Sequence, residues 1–396
     1  MAGAWRLKRL ALVAMMAMIA AADIPALVAS ARLQPVSLQA LEGWPGSAMA
    51  PALAAFQRSC REILAEASGF RRPSRFGGEP ADWHEVCGTA LATPPDAAQA
   101  FFESYFLAYR VVDPARPAGL FTGYFEPEYP GSRTPSAAYP VPVYARPADL
   151  VVFDAQTEAL TGLGYGRLVD GTARAYPSRR AIEAGALAGQ GLEIAWMASL
   201  VDAFFMHVQG SARLRLPDGL LLRLAYAGKS GRPYTSIGRL LAERAILPRE
   251  TVSMDTIRAW MAAHPHAARE LMAENESFVF FREVPIGDPA LGPPGGQLVG
   301  LSPGVSLAVD RRYWTYGTPM WLATTVPGDE AGGSRTFRRL MIAQDTGSAI
   351  RGAARGDIFF GSGAAAGGPA GRMQAPGELL VLLPRPLALR LELGEP

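Results

Sequence analysis

Short strand-like runs separated by Pro and Gly are the feature that most constrains the fold of this chain. The sequence holds 42 Gly and 33 Pro, and many of them bound runs of aliphatic and aromatic residues. The runs occupy residues 139–144, 214–226, 278–281, 307–310, 320–325 and 379–383. This pattern predicts β-structure joined by loops. Because no βαβ alternation, phosphate loop or internal repeat occurs, nothing in the sequence indicates a nucleotide partner.

Two stretches instead carry apolar residues at helical spacing. We predict helices packed on a core in residues 95–112 and 192–208. Their apolar positions are Phe101, Phe102, Tyr105, Phe106 and Tyr109 in the first, and Ile194, Met197, Leu200, Val201, Phe204 and Phe205 in the second. Residues 285–304 and 361–377 are rich in Pro and Gly and are predicted to be long loops. The first of these would cross between domains or cover a site.

Length and charge exclude some classes of protein. With 396 residues and 49% hydrophobic composition, the chain can form two domains, or one domain that carries an insertion. Its formal net charge of +2 comes from 38 basic and 36 acidic residues without a run of like charges. Because nucleic-acid binding needs a basic patch or stripe, we predict no nucleic-acid partner.

The first thirty residues resemble an export signal. Arg6, Lys8 and Arg9 precede an apolar stretch over residues 10–22, and small residues at 29–31 offer a cleavage site. We predict a signal peptide over residues 1–31 and a protein exported to the periplasm. Cleavage after Ala22 and an uncleaved anchor are the alternatives, although the apolar stretch is shorter than the roughly 20 residues of a spanning helix.

Cysteine and histidine are few. Cys60 and Cys87 are the two cysteines, and an even pair in an exported chain is compatible with one disulfide, which the sequence alone leaves open. The four histidines and two cysteines have no zinc-site spacing. We predict no metal and no cofactor.

The densest group of polar residues and glycines in an apolar setting is residues 341–363. It contains Asp345 and Asp357, twelve residues apart, and Asp310 ends another apolar run upstream. Asp is disfavoured in strands, so three of them at predicted strand ends are either turn-forming side chains or parts of a site. Spacing alone leaves both interpretations open.

Several segments together resemble one family. They are Phe-Thr-Gly-Tyr-Phe-Glu-Pro at 121–127, Val-Gln-Gly-Ser at 208–211, and the segments at 226–238, 274–281, 306–310, 343–347 and 356–359. In this order, over roughly residues 90–390, they are similar to the membrane-bound lytic transglycosylase A family and the three-aspartate domain of its C-terminal part. Two departures are the absence of a lipobox cysteine, which leaves outer-membrane attachment undecided, and Ser348 where a second Gly is usual.

The resemblance implies a fold that is mainly β with several helices. A double-psi β-barrel would be formed by residues 32–125 and 286–396, with a smaller β-domain inserted at 126–285. A groove between the two would hold a peptidoglycan glycan strand. The protein would be a monomer, with cell-wall synthesis or division complexes as further candidate partners.

The resemblance also implies roles for individual residues. Asp357 matches the catalytic acid, Asp345 its supporting aspartate, and Asp310 the third aspartate of the domain name. A lytic transglycosylase must protonate the glycosidic oxygen and then accept the proton of the muramic C6 hydroxyl, and one carboxyl can do both. Protonation near neutral pH requires a pKa raised by an apolar site, which Ile358 and Phe359 could provide.

Candidate substrate-binding residues lie in the same segments. Thr122 and Gln209 could orient Asp357 or the sugar, and Lys229 could meet the carboxylates of the substrate, as could Arg232. Aromatic candidates for the sugar faces are Tyr124, Tyr234, Tyr313 and Trp314. An ordinary structural role is the alternative for each of them.

Two other functions fit parts of the sequence. Asp-Thr-Gly-Ser at 345–348 also matches the signature of aspartic proteases, but these need two such segments facing each other and the chain offers no second one. A non-catalytic peptidoglycan-binding protein would use the same aromatic groove. The retention of all three aspartates favours the enzyme.

Overall fold

The computed structural model describes residues 31–44, 46, 48–66, 73–328 and 333–392. The predicted signal sequence therefore lies outside the described residues, apart from its last position. Across the described ranges, no helix has both the length and the apolar character needed to cross a membrane.

The strands follow the chain in eighteen segments of the described part. They are β1 (Arg32–Val36), β2 (Phe106–Val112), β3 (Leu120–Glu126), β4 (Glu128–Ser132), β5 (Val141–Tyr144), β6 (Val151–Val152), β7 (Tyr165–Val169), β8 (Thr172–Arg174), β9 (Glu193–Met197), β10 (Ser211–Arg215), β11 (Leu221–Lys229), β12 (Val279–Val284), β13 (Ser306–Val309), β14 (Pro319–Pro327), β15 (Ser334–Asp345), β16 (Arg355–Ser362), β17 (Gln374–Ala375) and β18 (Gly377–Pro384).

The α-helices flank these strands. They span Ala50–Leu64, Ala81–Ala92, Ala98–Tyr105, Ala155–Thr161, Arg179–Ala181, Leu200–Gln209, Ile237–Glu243, Met254–Ala263, Pro265–Glu274, Ala364–Arg372 and Arg385–Glu392. The fold is thus mainly β with several helices, which confirms the predicted class.

Both ends of the chain contribute to a nine-stranded sheet, the double-psi β-barrel. Its order is β1-β2-β18-β14-β15-β13-β16-β3-β17. The pairs β13–β15 and β16–β3 are parallel, whereas the remaining pairs are antiparallel. The buried apolar side chains of this sheet and of the flanking helices form the largest core.

The register of β13 brings two of the aspartates together. Ala308 lies opposite Asp345 on β15 and opposite Asp357 on β16. Asp357 in turn lies opposite Thr122 on β3. Segments distant in sequence therefore meet at one place in the barrel.

The middle of the chain forms the inserted β-structure. Six strands pair in the order β12-β11-β10-β4-β9-β5, and β6, β7 and β8 form a smaller sheet. Where the sequence showed one run at 214–226, the structure has β10 and β11 joined by a turn. Gly219 occupies a left-handed conformation there, with φ of 86°, which glycine adopts without steric cost.

The helix predicted for residues 95–112 is wrong in its second half. The helix Ala98–Tyr105 gives way to β2, so Phe106 and Tyr109 are strand residues. Both are buried. β2 pairs with β1 on one side and β18 on the other, and this pairing overrides the apolar spacing that mimics a helix.

The helix predicted for residues 192–208 is wrong in its first half. β9 occupies Glu193–Met197, and the helix begins only at Leu200. Ser199 is its N-cap and accepts a hydrogen bond from the backbone N–H of Asp202. A side-chain cap of this kind fixes where a helix starts.

The second predicted loop, residues 361–377, also differs. It contains the helix Ala364–Arg372 and the short strand β17. Pro369 lies inside that helix, which is why the composition favoured a loop. The first predicted loop, residues 285–304, holds no named helix or strand in the structure.

A disulfide joins Cys60 and Cys87, which answers the question that the sequence left open. The two cysteines lie on the helices Ala50–Leu64 and Ala81–Ala92, and both are fully buried. The closed loop of 27 residues restricts the unfolded chain. We expect the double variant Cys60→Ala/Cys87→Ala to lower the free energy of unfolding by about 2–4 kcal/mol. Urea denaturation measures this, and an unchanged midpoint would contradict it.

Candidate active site

Asp357 lies half-buried on β16 and is the end of a chain of two hydrogen bonds. The Thr122 hydroxyl donates to Asp357 Oδ1 at 2.6 Å, and Arg355 Nη2 donates to the same hydroxyl at 2.7 Å. Burial raises the pKa of the Asp357 carboxyl, while the Arg355 charge and the Thr122 hydrogen bond oppose that rise. The net pKa is above the usual value, so Asp357 is biased toward its protonated form.

Asp345, at the end of β15, has donors on both carboxyl oxygens. The Tyr124 hydroxyl donates to Oδ2 at 2.8 Å, and the backbone N–H groups of Gly296 and Thr346 each donate to Oδ1 at 2.8 Å. Burial raises its pKa, and these donors oppose the rise, whereas the charge of Asp357 adds to it. Asp345 is therefore held in one orientation beside Asp357.

Asp310 has a different environment from the other two aspartates. It is fully buried and accepts hydrogen bonds from Arg312 Nη2 at 2.6 Å and from the backbone N–H of Gly352 at 2.8 Å. Burial acts to raise its pKa, but the hydrogen bonds from Arg312 and Gly352 bring the pKa below the usual value. The lowered pKa favours the ionised form of Asp310, which links the loop after β13, through Arg312, to the loop before β16, through Gly352.

Two predicted residues connect the inserted β-structure to the barrel. Gln209 Oε1 accepts a hydrogen bond from the backbone N–H of Phe125 at 3.0 Å. Lys229 Nζ donates to Ser348 Oγ at 3.0 Å, three residues beyond Asp345. Both therefore lie at the meeting of the two parts, where the groove runs.

Tyr234 also faces the site from the inserted part. Its side chain is partly exposed, and its pKa is raised by burial of the hydroxyl and by the charge of Asp357. Arg232 Nε donates to the backbone carbonyl of Tyr176 at 2.7 Å. Tyr234 is thus close enough to Asp357 for the charge of that carboxyl to affect its pKa, whereas Arg232 has a contact within the inserted part.

Tyr313 is not brought into this cluster. It is 2% exposed and its ring lies 6.5 Å from that of Trp314, in the barrel core. Trp314 is fully buried and donates to the backbone carbonyl of Ala353 at 3.0 Å. Tyr313 and Trp314 therefore pack in the barrel core, and the prediction that they contact the sugar is not supported by their positions.

Sequence reasoning missed Arg355, Gly296 and Tyr316. A Cβ at Gly296 would lie 2.0 Å from the Tyr316 hydroxyl, so the absence of a side chain at this position leaves room for that hydroxyl. The Arg311 guanidinium lies 3.5 Å from the centroid of the Tyr316 ring. The Gly-Gly pair at 295–296 was the available signal, since paired glycines often mark a close backbone approach.

Domain matches agree with this arrangement. Residues 120–282 match the MltA specific insert domain, and residues 305–383 match the 3D domain. The double-psi β-barrel and the inserted β-domain thus place this chain in the class of 3D-domain proteins that carry this insert.

Individual relatives place the chain within that class. A membrane-bound lytic murein transglycosylase from Agrobacterium tumefaciens has a solved structure that is 37% identical, with a TM-score of 0.80, over 90% of this chain and 99% of that chain. The chain belongs to the membrane-bound lytic murein transglycosylase A family.

Two further relatives bear on function. The membrane-bound lytic murein transglycosylase A of Vibrio cholerae is 35% identical over 257 residues, which span 64% of this chain and 62% of that relative's length. Escherichia coli MltA has been solved with bound chitohexaose; it is 26% identical, with a TM-score of 0.61, over 89% of this chain and 91% of that chain.

Proposed function

We propose that this chain is a peptidoglycan lytic transglycosylase. It would cleave the β-1,4 bond between N-acetylmuramic acid and N-acetylglucosamine, with Asp357 as the single acid and base. The observation that carries the proposal is the half-buried carboxyl of Asp357, whose pKa burial raises above its usual value, at the edge of the groove. The names of its relatives and the chitohexaose bound by E. coli MltA support the substrate class.

The first step is proton transfer to the leaving group. Protonated Asp357 gives its proton to the glycosidic oxygen, and the bond from that oxygen to C1 of the muramic ring breaks. Electron density leaves with the oxygen, so positive charge develops on the sugar ring. Asp357, now a carboxylate, is held by the Thr122 hydroxyl at 2.6 Å, and Arg355 behind Thr122 stabilises its charge.

The second step returns the proton to Asp357. The C6 hydroxyl of the same muramic ring attacks C1 and loses its proton to the carboxylate, which closes a 1,6-anhydro ring without water. Hydrolysis would need a second carboxylate free to act as nucleophile or to activate water. Asp345 accepts three hydrogen bonds, which supports a role in orienting groups at the site rather than activating water.

The remaining candidates would bind the glycan. Tyr124, which donates to Asp345, and Tyr234, which is affected by the charge of Asp357, would offer aromatic faces to the sugar. Gln209, bound to the Phe125 N–H, would offer its amide. Lys229, bound to Ser348, is a cation at the groove for the carboxylates of the substrate. We further propose that the protein is exported through the signal sequence and acts as a monomer in the periplasm.

Digestion of purified peptidoglycan tests the activity. Products of the wild type should carry 1,6-anhydro ends and be one water lighter than hydrolytic products, as read by mass spectrometry. Reducing ends would make the protein a hydrolase. Binding of the glycan without any cleavage would make it a peptidoglycan-binding protein.

The pH profile tests the acid. Activity should fall as the pH rises through the raised pKa of Asp357, because the acid must be protonated to act. The Arg355 charge opposes that rise in pKa, so Arg355→Met should move the alkaline limb of kcat to higher pH. Arg355→Lys keeps the charge and is the matched control. A limb that stays in place in Arg355→Met would contradict the assignment.

A further inference from the structure

A buried polar network lies directly behind Asp345, on the side away from the groove. Its members are 0–3% exposed and come from a helix, a loop and two strands. They are Ser59, Gln297, Ser306 and Gln344. Buried polar groups in a barrel core are costly unless each finds a partner, so this cluster needs an explanation.

Gln344 is the centre of the network. Adjacent strand residues point to opposite faces, so Asp345 points to the groove and Gln344 points into the core. Its Nε2 donates to the Ala55 carbonyl and to Ser59 Oγ, both at 2.9 Å, and its Oε1 accepts from Ser306 Oγ at 2.6 Å. The amide is fully satisfied, and a satisfied buried network rigidifies its surroundings.

Gln297 joins the loop of residues 285–305 to the same network. Its Oε1 accepts from Ser59 Oγ at 2.8 Å, and its backbone N–H donates to the Gln344 carbonyl at 3.1 Å. The residue before it, Gly296, supplies the N–H that binds Asp345 Oδ1. Each glutamine is therefore adjacent in sequence to one partner of the Asp345–Gly296 hydrogen bond.

The loop has internal backbone hydrogen bonds, such as that from the Gly295 N–H to the Val299 carbonyl at 3.0 Å, and Gln297 is the residue that ties it to the buried network. The loop has no named helix or strand. Leu298, next to Gln297, is 56% exposed and has a left-handed φ of 66°, a conformation that is strained for a non-glycine residue. Such strain persists only where the surroundings fix the backbone. Here the Leu298 N–H donates to the Gly295 carbonyl at 2.8 Å, and the bonds of Gln297 tie this turn to the barrel.

We infer that Ser59, Gln297 and Gln344 are positioning residues, which hold Asp345 and the Gly296 N–H in register so that Asp345 can orient groups beside Asp357. The inference rests on the proposed function of the two aspartates. Ser59 lies on the helix Ala50–Leu64, next to the disulfide-bonded Cys60, so the anchor of the network is itself fixed to a second helix.

Ser59→Ala tests the inference, because it removes one hydroxyl that donates to Gln297 and accepts from Gln344. We expect kcat to fall roughly 10-fold to 100-fold, since small misplacements of catalytic groups have costs of this size. KM for peptidoglycan should stay the same, because Ser59 is fully buried and does not reach the groove. Thr324→Val is the matched control: it removes a buried hydroxyl that donates to Pro376 in the same barrel, at 2.7 Å.

Titration of 13C-labelled aspartates by NMR gives a readout that needs no activity. The Gly296 N–H stabilises ionised Asp345, so Ser59→Ala should raise the pKa of Asp345. The charged and titratable groups that act on this carboxyl, Asp357 and Tyr124, are unchanged in the variant. If the wild type makes no anhydro product, the proposed function fails while this titration still decides the inference.

Equal losses of stability in Ser59→Ala and Thr324→Val, with kcat and the Asp345 titration unchanged in both, would overturn the inference and leave the network a structural one. If Ser59→Ala does not fold, Gln297→Ala decides, because it leaves the bonds between Gln344 and the helix in place. Gln297→Ala should then reproduce the loss of kcat and the rise in the Asp345 pKa.

Discussion

Asp357→Asn should abolish turnover while glycan binding persists. Asn keeps the shape of the side chain and can still accept the Thr122 hydrogen bond, but it has no proton to give to the glycosidic oxygen. A positioned acid contributes about 10²–10⁴-fold to the rate, and in the proposed mechanism the same group also serves as the base. We therefore expect a loss at or above the upper end of that range, measured as anhydro product released from peptidoglycan.

Binding of chitohexaose by the same variant separates chemistry from recognition. Its affinity should match that of the wild type, because the groove contacts remain. Asp345→Asn is the comparison: if Asp345 supports the acid, it should slow turnover less than Asp357→Asn does. Full activity in Asp357→Asn would move the acid to another residue, with Asp345 the first to examine.

Although Asp357→Asn should lose activity, its thermal stability at neutral pH should rise. Burial raises the pKa of Asp357 in the folded state above the unfolded value of about 3.9. The wild type therefore loses stability as the pH rises from the unfolded pKa to the folded one, because the carboxyl must ionise in a buried site. Asn has no such cost. The variant should have a higher Tm at neutral pH and an equal Tm well below pH 3.9; a lower Tm at neutral pH would contradict this.

The short apolar runs predicted seven of the eighteen described strands, namely β5, β10, β11, β12, β13, β14 and β18, because apolar runs between Pro and Gly are typical of strands. They could not predict which strands pair. Asp345 and Asp357 meet because β13 lies between their strands, and a pairing between distant segments leaves no mark in local spacing. Helical spacing gave a wrong prediction at Phe106, because the strand β2 begins there directly after the helix Ala98–Tyr105.

The site could be predicted only in part for the same reason. Aspartates and aromatic residues in recognisable segments identified Asp357, Asp345 and Tyr124, whose contacts the structure now gives. Arg355 donates a hydrogen bond to the Thr122 hydroxyl, which lies 233 positions away in the chain. Tyr313 and Tyr316 share one aromatic run, and only the fold determines that the first packs in the core while the second reaches Gly296.

Glu126 is the centre of a buried ion-pair cluster between the barrel and the inserted part. It ends β3, the strand that carries Thr122 and Tyr124, and it is fully buried. Arg213 Nε donates to its Oε2 at 2.8 Å and Arg223 Nη2 does so at 3.1 Å, while Ser362 Oγ donates at 2.6 Å. Arg223 Nε lies 2.9 Å from Oε1 as an ion pair without hydrogen-bond geometry.

Glu126→Gln should therefore lower the free energy of unfolding by about 3–5 kcal/mol, since removing one partner of a buried ion pair leaves the other charge uncompensated. Two guanidinium groups, of which Arg223 is 3% exposed, would lose their counter-charge while the side-chain shape is kept. Glu283→Gln is the matched control, because its pair with Arg133 is about half exposed and should contribute at most about 1 kcal/mol. Urea denaturation of both variants measures the difference, and equal midpoints would mean that water reaches the Glu126 cluster and screens its charges.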